Sequence, residues 1–568
     1  MLARLSAILL TAWLLPGLTH PARVLAQDSP VRNTVERYSS DLAAIHRRYD
    51  AEYSTERRAR RTTFFTEWQG HLAAMPFAET VPEGQVDLIL LSNRIRYEQS
   101  LLAREERLWS EMQAVAPFAG RFLEFQEARR RLERVDPQGA ARALDSVVRV
   151  INATRKALEA PDAKAPSKVV AYRAAETLTD LRRTMDRWYQ FSSGYDPVFS
   201  WWVADPWRKT DKALQDYIKF LRERILGYKE GADDPIIGDP IGADGLKDDL
   251  IHEMIPYSPE ELLGIAEREF AWTEAERLRA SRDMGFGDDW RAAMERVKTR
   301  HVGPGEQPEM IRELAEEAIL FVEARDLVTV PPLAKEIWRM EMMTPAAQKV
   351  SPFFLGGEVI QVSYPTDSMS HEDKLMSMRG NNRHFSRATV QHELIPGHHL
   401  QGFMNERYQP HRRIFRTPFW GEGWALYWEM RLWDLGFPQT PEDRMGMLFW
   451  RSHRAARIIF SLGFHLGTMT PQEAIDFLVD RVGHERANAE AEVRRSFNGT
   501  YPPLYQAGYM LGGLQIRALH EALVVSGQLT DRAFHDAILQ GGPMPIEMVR
   551  ARLTGQALTR NFQSSWRF

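Results

Sequence analysis

The sequence predicts a mainly α-helical protein, and three features of the chain support this. Charged stretches with amphipathic helical periodicity fill most of residues 31–224, and equally strong segments occupy residues 451–467, 470–482 and 506–526. One segment, residues 356–365, has clear strand character. The composition, 44% hydrophobic and 26% charged over 568 residues, is globular and allows a large core.

Residues 1–26 have the pattern of a secretory signal peptide. Arg4 precedes a largely apolar run, and the small residue Ala26 stands before the polar Gln27. The run is short for a membrane span. We therefore expect cleavage after Ala26, export to the periplasm or the medium, and no stable membrane insertion of the mature protein. An uncleaved N-terminal anchor is the alternative.

Charge and cysteine content exclude several classes of function. The net charge is −4, or −6 once Arg4 and Arg23 are removed with the leader, and both signs are spread along the chain. Such a balance argues against a nucleic-acid partner. The chain has no cysteine, so it has no disulfide, thiol nucleophile, Cys-linked lipid or Cys-ligated metal. A metal would need histidine and carboxylate ligands.

Stretches rich in glycine and proline suggest where helices end and where the chain divides into regions. Residues 69–84 and 161–166 are expected to connect helices, and residues 227–248 are a domain boundary or an active-site loop. We predict an N-terminal helical region over residues 27–240 and a catalytic region over residues 241–568, with one continuous fold as the alternative.

Signals in the middle of the chain predict one helix start and one strand element. Ser258 followed by Pro259 and Glu261 is typical of a capped helix that runs to about Met284. The pair Pro331-Pro332 is expected to close the next helix. Residues 356–365 predict a small strand or hairpin beside the active-site helix, either lining the cleft with a free edge or serving structure alone.

The richest cluster of metal-capable side chains is Thr-Val-Gln-His-Glu-Leu-Ile-Pro-Gly-His-His-Leu-Gln, residues 389–401. In zinc peptidases a His-Glu pair supplies a metal ligand and the base that takes a proton from the attacking water. His392 and Glu393 match that pair. The alternative is a helix that ends at Pro-Gly, with the histidines as polar cap residues.

The second ligand is less obvious, because the position one helical turn after His392 is Pro396. On a regular helix His398 points to the wrong side, and His399 lies roughly 10 Å further along. Pro396 and Gly397 favour a break in the helix. A bulge there would bring His398 to the place of the missing ligand.

A third ligand is expected from a second helix that begins near Thr417-Pro418. Glu422 and Glu429 are seven residues apart on it, so they share a face. Carboxylates among tryptophan and tyrosine are costly to bury without a partner. We place Glu422 on the metal and Glu429 behind a ligand histidine. Two carboxylates facing water on a surface helix are the alternative.

Three further residues are candidates for stabilising an oxyanion: Tyr509, Tyr505 and His465. A tyrosine hydroxyl suits the charge that forms when water attacks an amide carbonyl. Tyr509 is the preferred candidate and His465 the second. The alternative for each is an ordinary core residue without a catalytic role.

The motif His-Glu-x-x-Pro-Gly-His-His-Leu-Gln, followed by Glu-Gly-Trp-Ala-x-Tyr, resembles the bacterial family named domain of unknown function 885, DUF885. The resemblance covers the C-terminal half well and the N-terminal helices loosely. That family is distantly similar to the Taq-type carboxypeptidases and the thimet-type oligopeptidases. The resemblance implies a helical zinc-peptidase-like fold split by a deep channel.

The relatives also bear on individual residues. Their His-Glu-x-Gly-His motif resembles this chain's motif with two residues inserted, which selects His398 over His399. A metal-ligating Glu opens the matching segment of the carboxypeptidases, which supports Glu422. An Ala-Gly-Tyr-Tyr-like segment of the oligopeptidases resembles the surroundings of Tyr509.

We therefore expect a zinc metallopeptidase that hydrolyses peptides or chain ends. His392, His398 and Glu422 would hold Zn²⁺, with Mn²⁺ or Co²⁺ as alternatives. Glu393 would be the base, with Tyr509 or His465 assisting. The alternatives are another metal-dependent amide or ester hydrolase and a non-catalytic helical protein that binds peptides.

Overall fold

The computed structural model describes residues 31–231, 234–348 and 353–568. The predicted signal peptide, residues 1–26, lies outside the described residues. Over the described ranges the chain is mainly α-helical, as predicted, with 23 α-helices and two short strands. No helix of the described part combines the length and apolar character needed to cross a membrane.

Long helices dominate the N-terminal part, as their amphipathic periodicity predicts. Residues 161–166 connect two of them. Of the expected connection at 69–84, residues 69–74 belong to α2 and residues 82–84 to α3, so only residues 75–81 lie between these two helices. The bounds are α1 (Arg32–Arg48), α2 (Thr55–Ala74), α3 (Pro82–Met112), α4 (Ala119–Arg130), α5 (Pro137–Leu158), α6 (Lys168–Ser192) and α7 (Pro197–Phe220).

The middle of the chain holds shorter helices and the two strands. Ser258 accepts a hydrogen bond from the backbone N–H of Glu261, and Glu261 reciprocates, so the predicted cap is confirmed. The bounds are α8 (Gly242–His252), α9 (Pro259–Asp283), α10 (Trp290–Lys298), α11 (Gln307–Ala324), α12 (Pro332–Ile337), β1 (Arg339–Met342), α13 (Pro345–Gln348), β2 (Val359–Val362) and α14 (His371–Gly380).

The C-terminal part is again helical, including the segments predicted from residue 451 onward. Its bounds are α15 (Arg383–Glu393), α16 (His398–Arg407), α17 (Pro418–Asp434), α18 (Pro441–Leu466), α19 (Pro471–Phe477), α20 (Arg486–Phe497), α21 (Tyr505–His520), α22 (Asp531–Gly541) and α23 (Ile546–Thr554). Short 3₁₀ helices span Phe77–Glu79 and Pro410–Phe415, and π-helical turns span Leu221–Leu226, Leu478–Val482 and Glu521–Val525.

One prediction about the middle of the chain is wrong, and for another the structure has one of the two predicted forms, a strand. Pro331-Pro332 does not close a helix: α11 ends at Ala324, and Pro332 is the first residue of α12, where its missing N–H costs nothing. The strand element is not a hairpin, because β1 and β2 pair in parallel, with Arg339 opposite Val359 and Met342 opposite Val362. A parallel pair needs the crossover that the intervening residues provide.

The buried apolar side chains form two large cores and one small one. The first core combines residues 31–102 with residues 246–551, and the second is built from residues 112–226 alone. The small core packs Ile360 and Val362 of β2 against Val390 and Leu394. The strand pair therefore lies beside α15, where the sequence placed it.

A buried ionic cluster fastens the N-terminal helix α3 to the C-terminal part. Asp87 accepts hydrogen bonds from Arg412 at 2.7 Å and pairs with His411 at 2.9 Å. Arg412 also donates to Glu83 at 2.7 Å, and Arg552 reaches the same carboxylate at 2.9 Å. These five residues, called the closed cluster below, are all buried. Buried charges of this kind are stable only when each has a partner.

Helices α17 and α21 pack unusually closely. A Cβ at Gly512 would lie 2.1 Å from the carbonyl oxygen of Phe419, and one at Gly423 would lie 2.6 Å from the Cα of Gly512. Only glycine permits that approach. The contact brings the first turn of α21, with its tyrosines, next to Glu422 on α17.

Candidate active site

The candidate site begins where α15 ends. His392 is buried in the last turn of this helix, on the face that also carries the buried Phe385 and Ala388. The helix stops at Glu393, and the peptide bond between Ile395 and Pro396 is cis. The sequence predicted a bulge within one helix, whereas the structure has two helices joined by a four-residue turn.

The turn is held in one shape by the surrounding backbone. Gly397 N–H donates to Gln391 O at 3.0 Å, and Trp424 Nε1 donates to Pro396 O at 2.9 Å. A Cβ at Gly397 would lie 1.8 Å from the carbonyl oxygen of His392, so only glycine fits here. The turn places His398 at the start of α16, and the rings of His392 and His398 are 4.8 Å apart between centroids.

His399 points away from His392. Its Nε2 lies 2.7 Å from the carbonyl oxygen of Ala334 in α12, and the residue is buried there. Of the two histidines that the sequence left open, the structure therefore brings His398 and not His399 to the site.

Glu422 joins the two histidines. Its Oε2 lies 3.0 Å from Nε2 of His398 and 3.6 Å from Nε2 of His392. Three ligand atoms about 2.0–2.1 Å from one tetrahedral zinc would lie roughly 3.3 Å apart. Two imidazoles and one carboxylate with these separations fit a zinc ion, and the same donor types also suit other divalent transition metals.

Glu429 fixes the orientation of His392, as the shared helix face predicted. Its Oε1 lies 2.7 Å from Nδ1 of His392 and accepts a hydrogen bond from Nη2 of Arg454 at 3.3 Å. With Nδ1 engaged, Nε2 of His392 remains directed toward Glu422. A carboxylate behind a ligand histidine is a common device for setting the ring and its tautomer.

Glu393 lies beside the two histidines. A carboxylate oxygen of Glu393 and one ring nitrogen each of His392 and His398 all lie within 4.8 Å of one another. Glu393 lines a cavity of about 370 Å³, together with His392, His398 and Glu422. The cavity is bounded by six helices and the segment 353–357; the helices are α15, α16, α17, α18, α20 and α21.

The three carboxylates have different electrostatic environments. Burial raises the pKa of Glu393, and the nearby histidines only partly offset it. Burial also acts on Glu422, but His398 and His392 outweigh it and hold its pKa well below the usual range. The pKa of Glu429 is lowered because Arg454 and His392 outweigh its burial. Glu393 is thus the carboxylate best suited to accept a proton.

Two tyrosines of α21 border the site. The Tyr505 hydroxyl donates a hydrogen bond to Oε1 of Glu422, and the ring of Tyr509 stacks on that of His392 with 6.0 Å between centroids. Burial, and then Glu422, raise the pKa of Tyr509; burial is also the main cause for Tyr505. Both phenols therefore keep their protons and remain hydrogen-bond donors.

The profile of a bacterial protein family of unknown function, DUF885, matches residues 38–553. The chain belongs to this family. Among curated proteins, none matches the DUF885 chain at a significant level.

Solved structures with the same fold include two candidate lipoproteins. One, of unknown function and from Shewanella oneidensis, has a TM-score of 0.66 and 18% identity, and the alignment covers 92% of the DUF885 chain and 98% of the other. The second, from Colwellia psychrerythraea, has a TM-score of 0.50 and 17% identity over 74% of each chain. At these identities the likeness concerns the fold.

One predicted site residue of the DUF885 chain lies elsewhere. His465 stands at the far end of α18, where its Nδ1 accepts a hydrogen bond from the backbone N–H of Ile241 at 3.4 Å. Burial lowers its pKa to about 4, so it is neutral. His465 does not line the cavity. The described part of residues 227–248, expected to be a domain boundary or an active-site loop, does not line it either, and residues 242–248 belong to α8.

Other residues of the cavity were missed by sequence reasoning. Arg454 and Arg457 of α18 and Arg495 of α20 line one wall. The spacing of Arg454 and Arg457, three residues apart and so on one face of α18, was the available signal. The predicted strand edge does not reach the cavity, because β2 pairs with β1 on one side and with Leu355 on the other. The segment 353–357 lines the cavity instead.

Proposed function

We propose that this protein is a zinc-dependent metallopeptidase. The observation that carries the proposal is the convergence of His392, His398 and Glu422 around one point, with the carboxylate of Glu393 beside them. Because ligand bonds to zinc are about 2 Å long, the side-chain tips of His392 and Glu422 must lie within about 8 Å of each other for such a site. The separation is 3.6 Å.

In this proposal His392, His398 and Glu422 hold the ion. A zinc ion in such a site supplies a Lewis acid that polarises a carbonyl and lowers the pKa of water. Glu393 accepts a proton from the attacking water and passes it to the leaving amine. Tyr509, which lines the same cavity, would donate a hydrogen bond to the oxygen that becomes negative, while the Tyr505 hydroxyl donates to Glu422.

The cavity supports peptides as the substrate class. Its volume, about 370 Å³, matches a site for a few residues and not for a folded protein surface. Phe353, Phe354 and Trp450 provide apolar walls, and the segment 353–357 offers backbone polar groups to an extended chain. We therefore propose short peptides or chain ends, which would enter through the deep channel expected from the resemblance.

The last part of the proposal is that the protein is exported. The leader pattern of residues 1–26, with Arg4, an apolar run and Ala26 before the polar Gln27, supports a periplasmic or secreted enzyme. Its structural relatives are described as candidate lipoproteins, which agrees with a place outside the cytoplasm.

The test combines metal content with peptide hydrolysis. Zinc would be measured by mass spectrometry on purified wild type, Glu422→Ala and Glu393→Gln, each also incubated with a mixed peptide library. We expect about one zinc per wild-type chain, loss of zinc in Glu422→Ala, and retained zinc with at least about 100-fold lower activity in Glu393→Gln. Glu406→Ala, on an exposed position of α16, is the matched control and should behave as wild type.

Two results would contradict the proposal. Wild type that binds no divalent metal, or binds it equally after Glu422→Ala, would remove the ligand assignment and favour a peptide-binding protein without catalysis. Turnover of acylated amino acids or esters in preference to peptides would show a different metal-dependent hydrolase using the same groups.

A further inference from the structure

One wall of the cavity carries more guanidinium groups than carboxylates to pair with them. Arg454, Arg457 and Arg495 line this wall, and the carboxylates that contact them are Glu429 and Glu492. Glu492 is shared: its Oε1 lies 2.7 Å from Nε of Arg457, and its Oε2 lies 2.7 Å from Nε of Arg495. One buried carboxylate thus serves two arginines.

Arg457 has hydrogen-bonding capacity to spare. The residue is 1% exposed, and its Nη1 finds no hydrogen-bond partner among the described residues. Its guanidinium packs on the Tyr509 ring, with Cζ 4.4 Å from the ring centroid. A buried guanidinium nitrogen without a partner is costly. A ligand anion in the cavity would remove that cost.

The position of Arg457 relative to the proposed metal site sets the length of what can lie between them. Tyr509 separates the two: its ring centroid is 6.0 Å from that of His392 and 4.4 Å from Cζ of Arg457. Successive Cα atoms of a peptide are about 3.8 Å apart. One or two residues after the bond to be cut therefore bring a terminal carboxylate to Arg457.

We propose that Arg457 and Arg495, with Arg454 beside them, bind the free α-carboxylate of a peptide, so that one or two residues are removed from its C-terminus. The inference rests on the proposed function and names its substrate class. Guanidinium groups bind carboxylates through paired, charge-assisted hydrogen bonds. Phe353 and Trp450, whose rings are 4.7 Å apart between centroids on the cavity wall, favour an apolar terminal side chain.

The first experiment compares two ligands that differ only in the terminal group. Binding of N-acetylphenylalanine and N-acetylphenylalaninamide to the purified protein, with its metal content measured beforehand, would be followed by calorimetry. We expect the free acid to bind about 10–100-fold more tightly, the effect of charged hydrogen bonds in a buried site. Equal binding of acid and amide would overturn the proposal.

A third ligand distinguishes a chain end from an acidic side chain. N-acetylaspartic acid with its α-carboxylate blocked as an amide offers the same carboxylate chemistry from a side chain. We expect it to bind no better than N-acetylphenylalaninamide. If it binds as tightly as N-acetylphenylalanine, the wall recognises acidic side chains and the C-terminal assignment is wrong.

Variants locate the effect on the wall. Arg457→Gln and Arg495→Gln should each abolish most of the preference for the free acid, while Arg457→Lys should restore part of it. Arg451→Gln is the control, because Arg451 is buried on the same helix but pairs with Glu269 and does not line the cavity. Thermal unfolding of every variant checks folding, and Arg495, the more exposed arginine, serves if Arg457→Gln does not fold. Folded variants that keep the preference would contradict the proposal.

Failure of this inference differs from failure of the proposed function. Hydrolysis of free and C-terminally amidated peptides at equal rates would keep the peptidase and remove the carboxylate subsite. Binding that depends on the α-carboxylate and on Arg457, in a protein that cuts no peptide, would keep the subsite and remove the peptidase.

Discussion

Two of the buried ionic clusters in the described part of the protein differ in structure. The closed cluster of Glu83, Asp87, His411, Arg412 and Arg552 sits between α3 and the C-terminal part and does not line the cavity. The cavity cluster of His392, His398, Glu422, Glu429 and Arg454 also combines histidine, carboxylate and arginine side chains. All of its members except Glu429 line the 370 Å³ cavity beside Glu393.

The comparison teaches that burial of charge does not by itself identify a functional site. In the closed cluster Arg412 donates to Asp87, Glu83 and the carbonyl of Gly541, so the guanidinium nitrogens of Arg412 are bonded within the protein. In the cavity cluster the donor atoms of His392, His398 and Glu422 converge on one another beside open space. The first arrangement joins two parts of the fold, and the second is the one to which we assign an ion and a substrate in our proposal.

The largest expected effect is on the closed cluster. Asp87→Ala leaves Arg412 and His411 buried without their shared carboxylate, which should lower the free energy of unfolding by about 3–5 kcal/mol. Urea unfolding of wild type and variant measures this, and Asp41→Ala, on the exposed side of α1, should change it by less than about 0.5 kcal/mol. A variant as stable as wild type would mean that the closed cluster does not hold the two parts together.

The next prediction concerns the cavity cluster, where we expect a substitution to change metal affinity. Glu429→Gln removes the charge behind His392, and we expect zinc affinity to fall about 10–100-fold, equivalent to about 1.4–2.7 kcal/mol. Competition with a chromophoric chelator measures the affinity, with Glu406→Gln as the control. Unchanged zinc affinity would show that Glu429 does not orient a ligand.

Acid should weaken the closed cluster through Asp87. Burial alone would raise the pKa of this carboxyl, but Arg412 and His411 outweigh it and lower the pKa to about 2. Because the unfolded pKa is about 3.9, the stabilisation is present above that pH and is lost as the pH falls toward 2, with a loss of about 1 kcal/mol between pH 5 and pH 3. Unfolding free energies at pH 5 and pH 3 for wild type and Asp87→Asn measure it. If the unfolding free energy fell by the same amount between pH 5 and pH 3 in both proteins, the prediction would be wrong.

The smallest expected change in stability concerns His399, which is compared with its neighbour His398. His399→Ala loses one buried hydrogen bond to Ala334, about 1 kcal/mol, and should keep its zinc. His398→Ala should lose the zinc. The two zinc contents by mass spectrometry decide between them, and the reverse pattern would make His399 the ligand.

Much of the fold followed from local signals. Helical periodicity located the long helices, and Ser258 and Thr417 marked two helix starts, because caps act within a few residues. Pairing could not be deduced in the same way. The parallel partner of β2 and the contact of Leu355 with Gln361 depend on tertiary packing, which also made Pro332 an opening residue instead of a closing one.

The candidate site was predictable in its chemistry but not in its geometry. Residue types and spacing indicated His392, Glu393, Glu422 and Glu429, because a shared helix face can be counted from the sequence. The turn at Gly397 could not be predicted from residue spacing, because its shape depends on hydrogen bonds to Gln391 and Trp424. The arginine wall comes from two helices that meet only in the folded protein, and His465 was misplaced because the length of α18 carries it away from the cavity.

The first core joins the two ends of the chain, and this sets the order in which the molecule can assemble. Glu83 pairs with Arg552, 469 residues later, and Arg560 donates to the carbonyl of Leu72 across 488 residues. The second core, residues 112–226, uses a contiguous stretch and needs no later residue. During synthesis α1 to α3 therefore wait for the last helices before their apolar faces are covered. The N-terminal helices α1 to α3 are therefore expected to complete their packing late, after the second core has formed.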